Sequence, residues 1–306
     1  MRVLFAGTPA VALPSLEALL AAGHEIVAVL TRPDAPLGRK RVHTPSPVAA
    51  RAADLGLPVI KADKVDTAAQ EAIAAARPQV AAIVAYGAIV PEPALSIPEH
   101  GWINLHFSLL PAWRGAAPVQ HAVIHGDGVT GASTFLLEKG LDTGPVYGTM
   151  TEPIRPADTS GELLERLSHS GAVLLVQTID GLAAGRLAGV PQQGEVSLAP
   201  KLTLEDGHVN WQDPALAIDR RVRGVTAEPG AWTQLFGQRF KLGPVTLRPD
   251  VNALAPAQLR VEPKAVLVGT GSHAVELAIV QPAGKKLMKA TDWARGLANK
   301  EDVVFE

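Results

Sequence analysis

The sequence contains no cysteine among its 306 residues, and aromatic residues make up only 4% of it. Without cysteine, disulfide bonds and metal sites built on thiolates are excluded. The nine histidines are scattered and lack the spacing of a zinc or iron site, so we expect no bound metal. Because aromatic side chains are few, the core must be built mainly from Ala, Val, Leu and Ile, and the hydrophobic content of 47% allows this.

Long hydrophobic runs are also missing. No apolar stretch approaches the roughly 18 residues that a membrane span needs. The first residues, M-R-V-L-F-A-G, resemble a strand rather than the apolar segment of a signal peptide. We therefore expect a cytoplasmic globular protein without membrane association, folded as one large or two modest domains.

Short apolar runs alternate with helical segments over residues 1–100. Strands are predicted at residues 3–6, 25–30, 57–61 and 80–85, and helices at residues 47–56 and 67–76. Strands that are apolar throughout favour a mostly parallel sheet covered on both faces. The first turn contains Gly7 but no G-x-G-x-x-G, the dinucleotide-binding fingerprint. The pattern predicts an α/β, Rossmann-like sheet without a nicotinamide site.

A polar pair stands at the end of another predicted strand, in N-L-H-F-S-L-L-P-A-W-R-G-A-A-P at residues 104–118. Side chains alternate along a strand, so Asn104 and His106 share a face. Open α/β sheets bind ligands at the carboxyl ends of their strands. Asp142 follows in E-K-G-L-D-T-G, a predicted loop that could turn its carboxylate towards the pair.

An Asn, a His and an Asp suit acyl transfer. The amide can stabilise a tetrahedral oxyanion, the imidazole can move a proton, and the carboxylate can orient the imidazole. Ser108 has no evident base and cysteine is absent, so direct transfer is favoured over a covalent intermediate. Each of the three residues could instead be structural, and together they do not identify a reaction.

The motif N-x-H-x-S-L-L-P-x-x-R-G-A-A-P, followed by G-L-D-T-G, closely resembles the folate-dependent formyltransferase family. The resemblance implies that 10-formyltetrahydrofolate is the formyl donor and that Asn104, His106 and Asp142 are catalytic. Two residues depart from the family pattern: Phe107 stands where a small residue is common, and Ala112 stands where a basic residue is common. These departures affect the expected detail of the pocket and not the assignment of the three catalytic residues. The implied folate site comprises Ser108, Leu109, Leu110, Pro111, Tyr86 and Gly87.

The stretch T-R-P-D-A-P-L-G-R-K-R-V-H-T-P-S-P, residues 31–47, has no periodicity and exceeds the usual ~2–6 residues of a βα connection. Its charges could form a solvated loop or a mobile arm that orders on a polyanion. It resembles the insertion of the methionyl-tRNA formyltransferase subfamily, which reaches the acceptor end of initiator tRNA. That resemblance implies tRNA contacts for Arg39, Lys40 and Arg41.

The second half of the chain changes character. A capping box, Thr159 to Glu162, predicts the start of a helix. The Gly-, Pro- and Gln-containing stretch that follows predicts a linker, and the short strands beyond it favour a small β-barrel. The latter resembles the C-terminal OB-like, tRNA-binding barrel of the subfamily, in which Lys201 corresponds to a tRNA-contacting position. We expect a catalytic domain at 1–185, a linker at 186–201 and a barrel at 202–306.

Taken over the whole chain, the resemblance implies formyl transfer from 10-formyltetrahydrofolate to the α-amine of initiator methionyl-tRNA, by a monomer. Other acceptors stay open: an amino sugar nucleotide, glycinamide ribonucleotide, or water in a formyltetrahydrofolate hydrolase or dehydrogenase module. A catalytically silent RNA-binding scaffold is a further alternative. Residues 31–47 favour tRNA over the other acceptors, and the three polar residues argue against a silent scaffold.

Overall fold

A computed structural model describes residues 1–38, 41–297 and 303–306, which group into two compact units. The first comprises Met1–Gly115, Val129–Pro153 and Leu164–Ala199, and the second comprises Ala116–Gly128, Ile154–Leu163 and Pro200–Glu306. Residues 186–199 therefore group with the first unit. The boundaries at residues 185 and 201 stay a prediction.

Strands and helices are numbered in chain order. Up to residue 199 the strands are β1 (Arg2–Gly7), β2 (Glu25–Thr31), β3 (Ala35–Leu37), β4 (Val42–Thr44), β5 (Val59–Lys61), β6 (Val80–Val84), β7 (Trp102–His106), β8 (Arg114–Gly115), β9 (Val129–Leu136), β10 (Val146–Pro153) and β11 (Leu198–Ala199). The helices there are α1 (Leu13–Ala21), α2 (Pro47–Asp54), α3 (Thr67–Ala76), α4 (Glu92–Leu95), α5 (Pro118–His125) and α6 (Ser160–Ala183).

A seven-stranded sheet with the order β10-β9-β7-β6-β1-β2-β5 organises the first unit. Neighbouring strands from β7 to β5 run parallel, whereas β9 and β10 pair antiparallel. All five residues of β6, V-A-A-I-V, are buried, as a strand covered on both faces requires. The mostly parallel sheet predicted from the apolar runs is confirmed.

Local capping explains where several helices begin. The Ser46 hydroxyl accepts from the amide of Ala49 before Pro47 opens α2, and the Asp66 carboxylate does the same before α3. At the start of α6, the Thr159 hydroxyl accepts from the Glu162 amide at 3.2 Å, and the Glu162 carboxylate accepts from the Thr159 amide at 2.9 Å. This reciprocal pair is the predicted capping box.

Residues 31–47, predicted to be irregular, contain a β-hairpin instead. β3 pairs antiparallel with β4, with Leu37 opposite Val42. The two strands are three residues long and mostly exposed, so no alternation of buried and exposed residues could reveal them. Arg39 and Lys40 lie outside the described residues, whereas Arg41 is exposed with a φ of 50°.

The second unit contains β12 (Ala231–Leu235), β13 (Gln238–Leu242), β14 (Val245–Arg248), β15 (Leu259–Val261), β16 (Val266–Val268), β17 (Ala274–Leu277), β18 (Ile279–Gln281), β19 (Met288–Lys289), α7 (Ala215–Gly224) and α8 (Ala290–Arg295). The strands form two four-stranded antiparallel sheets, β12-β13-β18-β19 and β14-β17-β16-β15. The predicted C-terminal domain of short strands is confirmed, and its closure as an OB-like barrel stays a prediction.

One hydrophobic core joins both sheets of the second unit to its helices. Phe240 and Val275 come from different sheets, and Ile218, Val222 and Ala294 come from α7 and α8. Neither α7 nor α8 was predicted. In α7, three arginines stand among the apolar residues, and the sequence pattern there indicates a cluster of charge rather than a helix. In the described part of the chain, every helix is too short or too polar to cross a membrane.

Candidate active site

Asn104 and His106 lie on β7, which runs parallel to β6 and antiparallel to β9. Asn104 is paired with Phe135 of β9, and His106 is paired with Ser133. The strand side chains around them are buried, but Asn104 is only half-buried and therefore reaches the accessible edge of the sheet. His106 ends the strand and retains 6% of its surface exposure.

Both ring nitrogens of His106 face a polar partner. Nε2 lies 2.9 Å from the carbonyl oxygen of Trp113. A carbonyl can only accept, so Nε2 carries the proton and Nδ1 holds the lone pair of the neutral ring. Nδ1 lies 3.7 Å from Oδ2 of Asp142, which is beyond ordinary hydrogen-bond length but close enough for strong electrostatic attraction to an imidazolium.

The protonation of His106 reflects opposing influences. Burial lowers the pKa of His106, and it outweighs the nearby Asp142 charge and the Trp113 hydrogen bond, which both raise it. The net direction is downward from the ordinary value of 6.5. The imidazole is therefore neutral near pH 7, with Nδ1 able to accept a proton.

Asp142 lies in the loop between β9 and β10, residues 137–145. Its backbone adopts a φ of 49°, and its Oδ2 accepts a hydrogen bond of 2.7 Å from the amide of Gly115. Two residues later, a side chain at Gly144 would collide with the carbonyl oxygen of Leu136, so only glycine fits there. The structure thus brings Asp142 and His106 together, as the sequence pattern suggested it could.

The turn at residues 108–111 is fixed by a serine that sequence reasoning missed. Ser133 of β9 donates to the carbonyl oxygen of Ser108 at 2.7 Å and accepts from the amide of Leu110 at 3.2 Å. The Ser108 hydroxyl is itself occupied by the Ala112 carbonyl, at 2.6 Å. Ser108 and Pro111 are buried and Leu109 and Leu110 half-buried, so the two leucines are the side chains that the turn presents.

Tyr86 and Gly87 follow β6 at the same end of the sheet. The Tyr86 ring is 1% exposed, its hydroxyl donates to the carbonyl of Ala62, and burial raises the pKa of Tyr86 to about 12. The carbonyl of Tyr86 accepts from the Thr8 hydroxyl at 2.7 Å. Its ring is thus a core side chain, and Gly87, which is exposed with a φ of 86°, offers accessible backbone.

Two of the predicted tRNA-contacting residues, Arg41 and Lys201, are described by the structure. Arg41 lies at the hairpin end and Lys201 follows β11, and both are exposed. Within the described ranges, His, Asp and Glu side chains form no group of three that could hold a metal ion.

Residues 190–199 contribute to this region, although their composition predicted only a linker. β11 pairs with β8, and the Ser197 hydroxyl accepts from the amide of Trp113 at 2.8 Å. A serine in a Gly- and Pro-rich stretch carries no sequence signal for such a contact, because the partner is 84 residues away. Trp113 in turn holds Nε2 of His106, so this segment supports the histidine indirectly.

Comparison with known proteins agrees with the geometry. The formyl transferase family model matches residues 1–179, and the formyl transferase C-terminal domain model matches residues 201–298. The methionyl-tRNA formyltransferase of Pseudarthrobacter chlorophenolicus is 72% identical over 306 residues, covering 100% of both chains. The chain belongs to the methionyl-tRNA formyltransferase family. The family predicted from the sequence motifs is thereby confirmed.

Solved structures share the fold at low sequence identity. The methionyl-tRNA formyltransferase from Clostridium thermocellum superposes with a TM-score of 0.60 at 16% identity, covering 81% of this chain and 94% of that one. The N-formyltransferase from Helicobacter canadensis, in complex with folinic acid and dTDP-3-aminofucose, superposes with a TM-score of 0.69 at 17% sequence identity. The superposition covers 92% of this chain and 99% of that one. At these identities, the two superpositions show a shared fold alone.

Proposed function

We propose that the protein transfers a formyl group from 10-formyltetrahydrofolate to the α-amino group of initiator methionyl-tRNA. Formylmethionyl-tRNA for translation initiation is the product. The 72% identity to a methionyl-tRNA formyltransferase along the entire chain carries this proposal. Full coverage matters because the sheet-edge motif alone is compatible with several acceptors, whereas the second unit and the hairpin also belong to the match.

The reaction forms one bond and breaks another. The amine nitrogen bonds to the formyl carbon, the bond from that carbon to N10 of the folate breaks, and one proton passes from the amine to N10. An α-amine with an ordinary pKa of about 7.7–8.0 is partly neutral at cellular pH. A strong base is therefore unnecessary, and the enzyme must mainly stabilise the oxyanion and relay the proton.

Asn104, His106 and Asp142 are the proposed catalytic residues. The half-buried Asn104 amide donates to the developing oxyanion. Nδ1 of His106 accepts the amine proton and returns it to N10, which the lone pair assigned to that nitrogen permits. The Asp142 carboxylate, 3.7 Å from Nδ1, stabilises the transient imidazolium.

The folate site forms part of the same proposal. Residues 108–111 form a turn that Ser133 holds rigid, and they leave Leu109 and Leu110 accessible for contacts with an apolar ring. Because the Tyr86 ring is buried in the core, the contribution of Tyr86 and Gly87 comes from backbone groups. Pre-formed concave sites with a few fixed polar groups are typical of small-molecule binding.

Arg39, Lys40, Arg41 and Lys201 are the proposed tRNA contacts. The exposure of Arg41 and Lys201 suits pairing with phosphate, which is the main source of affinity for nucleic acid. The proposal also includes a monomeric state and a cytoplasmic location, where charged tRNA is found.

The acceptor can be tested directly. The full-length protein is supplied with 10-formyltetrahydrofolate and, in parallel, with initiator methionyl-tRNA, elongator methionyl-tRNA, glycinamide ribonucleotide or a dTDP-linked amino sugar. We expect formylation of the first acceptor alone, measured as incorporated formyl label. Formylation of a sugar or ribonucleotide instead, or donor hydrolysis without any acceptor, would contradict the proposed function.

The hairpin contact predicts a charge-dependent defect. Arg41→Ala should lower kcat/KM for initiator methionyl-tRNA and reduce the slope of log affinity against log salt by about one, since one phosphate contact is lost. Folate affinity should not change. Arg77 is a matched control, because it is also an exposed arginine at positive φ (49°) but follows α3. If Arg41→Ala and Arg77→Ala have the same kcat/KM and the same salt dependence, the hairpin is an ordinary solvated surface and Arg41 does not contact tRNA.

A further inference from the structure

The loop that carries Asp142 has little support of its own. Gly140, Leu141 and Thr143 are exposed, and the Asp142 backbone adopts a left-handed conformation. The bond from the Gly115 amide fixes one carboxylate oxygen but does not fix the loop backbone. The separation of Asp142 from His106 therefore depends on whatever holds the main chain of residues 142–144.

The side chain of Gln192 provides that support. Its Nε2 donates to the carbonyl oxygen of Asp142 at 2.7 Å and to that of Gly144 at 2.9 Å. Its Oε1 accepts from Nε of Arg114 at 3.1 Å and from Nη2 at 2.7 Å. Two donors and two acceptor positions are thus all used, which is the complete capacity of a glutamine amide.

The chemistry of these partners also fixes the orientation of the amide. Carbonyl oxygens only accept and a guanidinium only donates, so exchanging Nε2 and Oε1 of Gln192 would break all four bonds. The glutamine can therefore bridge the Asp142 loop and Arg114 in one way only. A glutamate or a hydrophobic residue of the same length cannot reproduce it.

The bridge joins the two segments that set the His106–Asp142 geometry. On one side is the backbone of Asp142 itself. On the other side is Arg114, which lies between Trp113 and Gly115 in the chain. The carbonyl of Trp113 accepts from Nε2 of His106, and the amide of Gly115 donates to Oδ2 of Asp142. Displacing either end of the bridge changes the separation between the imidazole and the carboxylate.

We propose that Gln192 is a positioning residue for formyl transfer, which holds the Asp142 carboxylate at its working distance from His106 by tying the backbone of residues 142–144 to Arg114. The inference rests on the function proposed above for this pair. Gln192 touches neither reacting group and acts only through the loop. A stretch whose composition reads as a linker is then part of the catalytic framework.

Two variants separate the halves of the bridge. Gln192→Glu keeps acceptors for Arg114 but has no donor for the carbonyls of Asp142 and Gly144, so it breaks the loop side alone. Gln192→Met keeps the length and removes both sides. The exposed neighbour Gln193 gives the matched control, Gln193→Ala. Circular dichroism melting shows whether each variant is folded, and Gln192→Glu remains informative if Gln192→Met is not.

We expect kcat to fall by about 10- to 100-fold in both Gln192 variants, because displacements of the order of 1 Å have effects of that size. KM for the folate donor and for tRNA should stay within about threefold, since all four hydrogen-bonding positions of the Gln192 amide are used within the protein. Gln193→Ala should match the wild type. Wild-type kcat in folded Gln192→Glu would overturn the inference.

A spectroscopic measurement tests the geometry without relying on activity. The Asp142 charge raises the pKa of His106, so a displaced loop should lower that pKa in Gln192→Met when the ring is titrated by NMR. An unchanged titration would also overturn the inference. If the wild-type protein formylates no methionyl-tRNA, the proposed function fails, yet this titration still tests whether Gln192 positions the loop.

Discussion

Two buried histidines stand at opposite edges of the seven-stranded sheet, and their surroundings are alike in kind. His106 is 6% exposed and lies 3.7 Å from Asp142, while His24 is 7% exposed and lies 3.3 Å from Asp180. Burial is the largest influence on both, and it lowers the pKa of each ring. Burial, a neighbouring carboxylate and a lowered pKa therefore do not distinguish His106, the proposed catalytic histidine, from His24.

Position in the topology is what separates the two. His106 ends β7 at the carboxyl edge of the parallel strands, beside the turn at residues 108–111 and the Asp142 loop. His24 precedes β2 at the opposite edge, where its Nδ1 lies 3.2 Å from the α-amine of Met1. Ligands of open α/β sheets bind at the carboxyl edge, because the loops that diverge there leave a crevice. The position of His106 at the carboxyl edge, rather than its electrostatics, is what supports its proposed catalytic role.

The largest effect is expected when His106 is replaced by alanine, and the same replacement at His24 is the control. His106→Ala should reduce kcat for formyl transfer by about 10²–10⁴-fold, the usual contribution of a positioned proton-transfer group. His24→Ala, an equally buried histidine, should leave kcat within about twofold when the protein is folded. Formylation rates at saturating donor and tRNA measure both.

Two results would contradict the difference proposed between His106 and His24. Folded His106→Ala with near wild-type turnover would remove His106 from the mechanism. A large kcat defect in His24→Ala, with unchanged melting, would show that the amino edge of the sheet takes part in the reaction.

Local sequence signals accounted for much of the fold. The continuous apolar run at residues 80–85 predicted a strand covered on both faces, and Val80–Val84 is buried throughout. The capping box predicted the start of a helix through contacts between Thr159 and Glu162, only three residues apart. The period-two placement of Asn104 and His106 needed only the strand itself. Each of these features depends on neighbours in sequence, which is why pattern reasoning reached them.

The parts that escaped prediction depend on distant polar contacts. Gln192 is 50 residues from Asp142 and 78 from Arg114, and Ser133 bonds to a turn 25 residues away. No periodicity encodes such pairs, because a glutamine or serine in an extended segment looks the same with or without a partner. The G-L-D-T-G motif offered Asp142 as a candidate, but the return of the chain at β9 and β10 determines its distance from His106.

A smaller effect should separate the two histidines by stability rather than rate. Burial, and after it the α-amine of Met1, lowers the pKa of His24 from its ordinary 6.5, while Asp180 opposes them. The unfolded chain therefore binds this proton more readily than the folded chain. The free energy of unfolding contributed by His24 is thus complete above pH 6.5 and is lost as the pH falls through and below that value.

Replacing His24 by glutamine removes this titration and keeps a polar side chain. The loss of unfolding free energy between about pH 7.5 and about pH 5.5 should be smaller in His24→Gln than in the wild type, measured by urea denaturation. His106 shifts in the same direction and remains in both proteins, so the difference between the two curves isolates His24. Parallel curves would show that the buried ring at the amino edge does not couple protonation to folding. If His24→Gln loses less unfolding free energy than the wild type and keeps its kcat, then His24 couples protonation to stability but not to the reaction. The two histidines would then share burial and the direction of their pKa shift but differ in role.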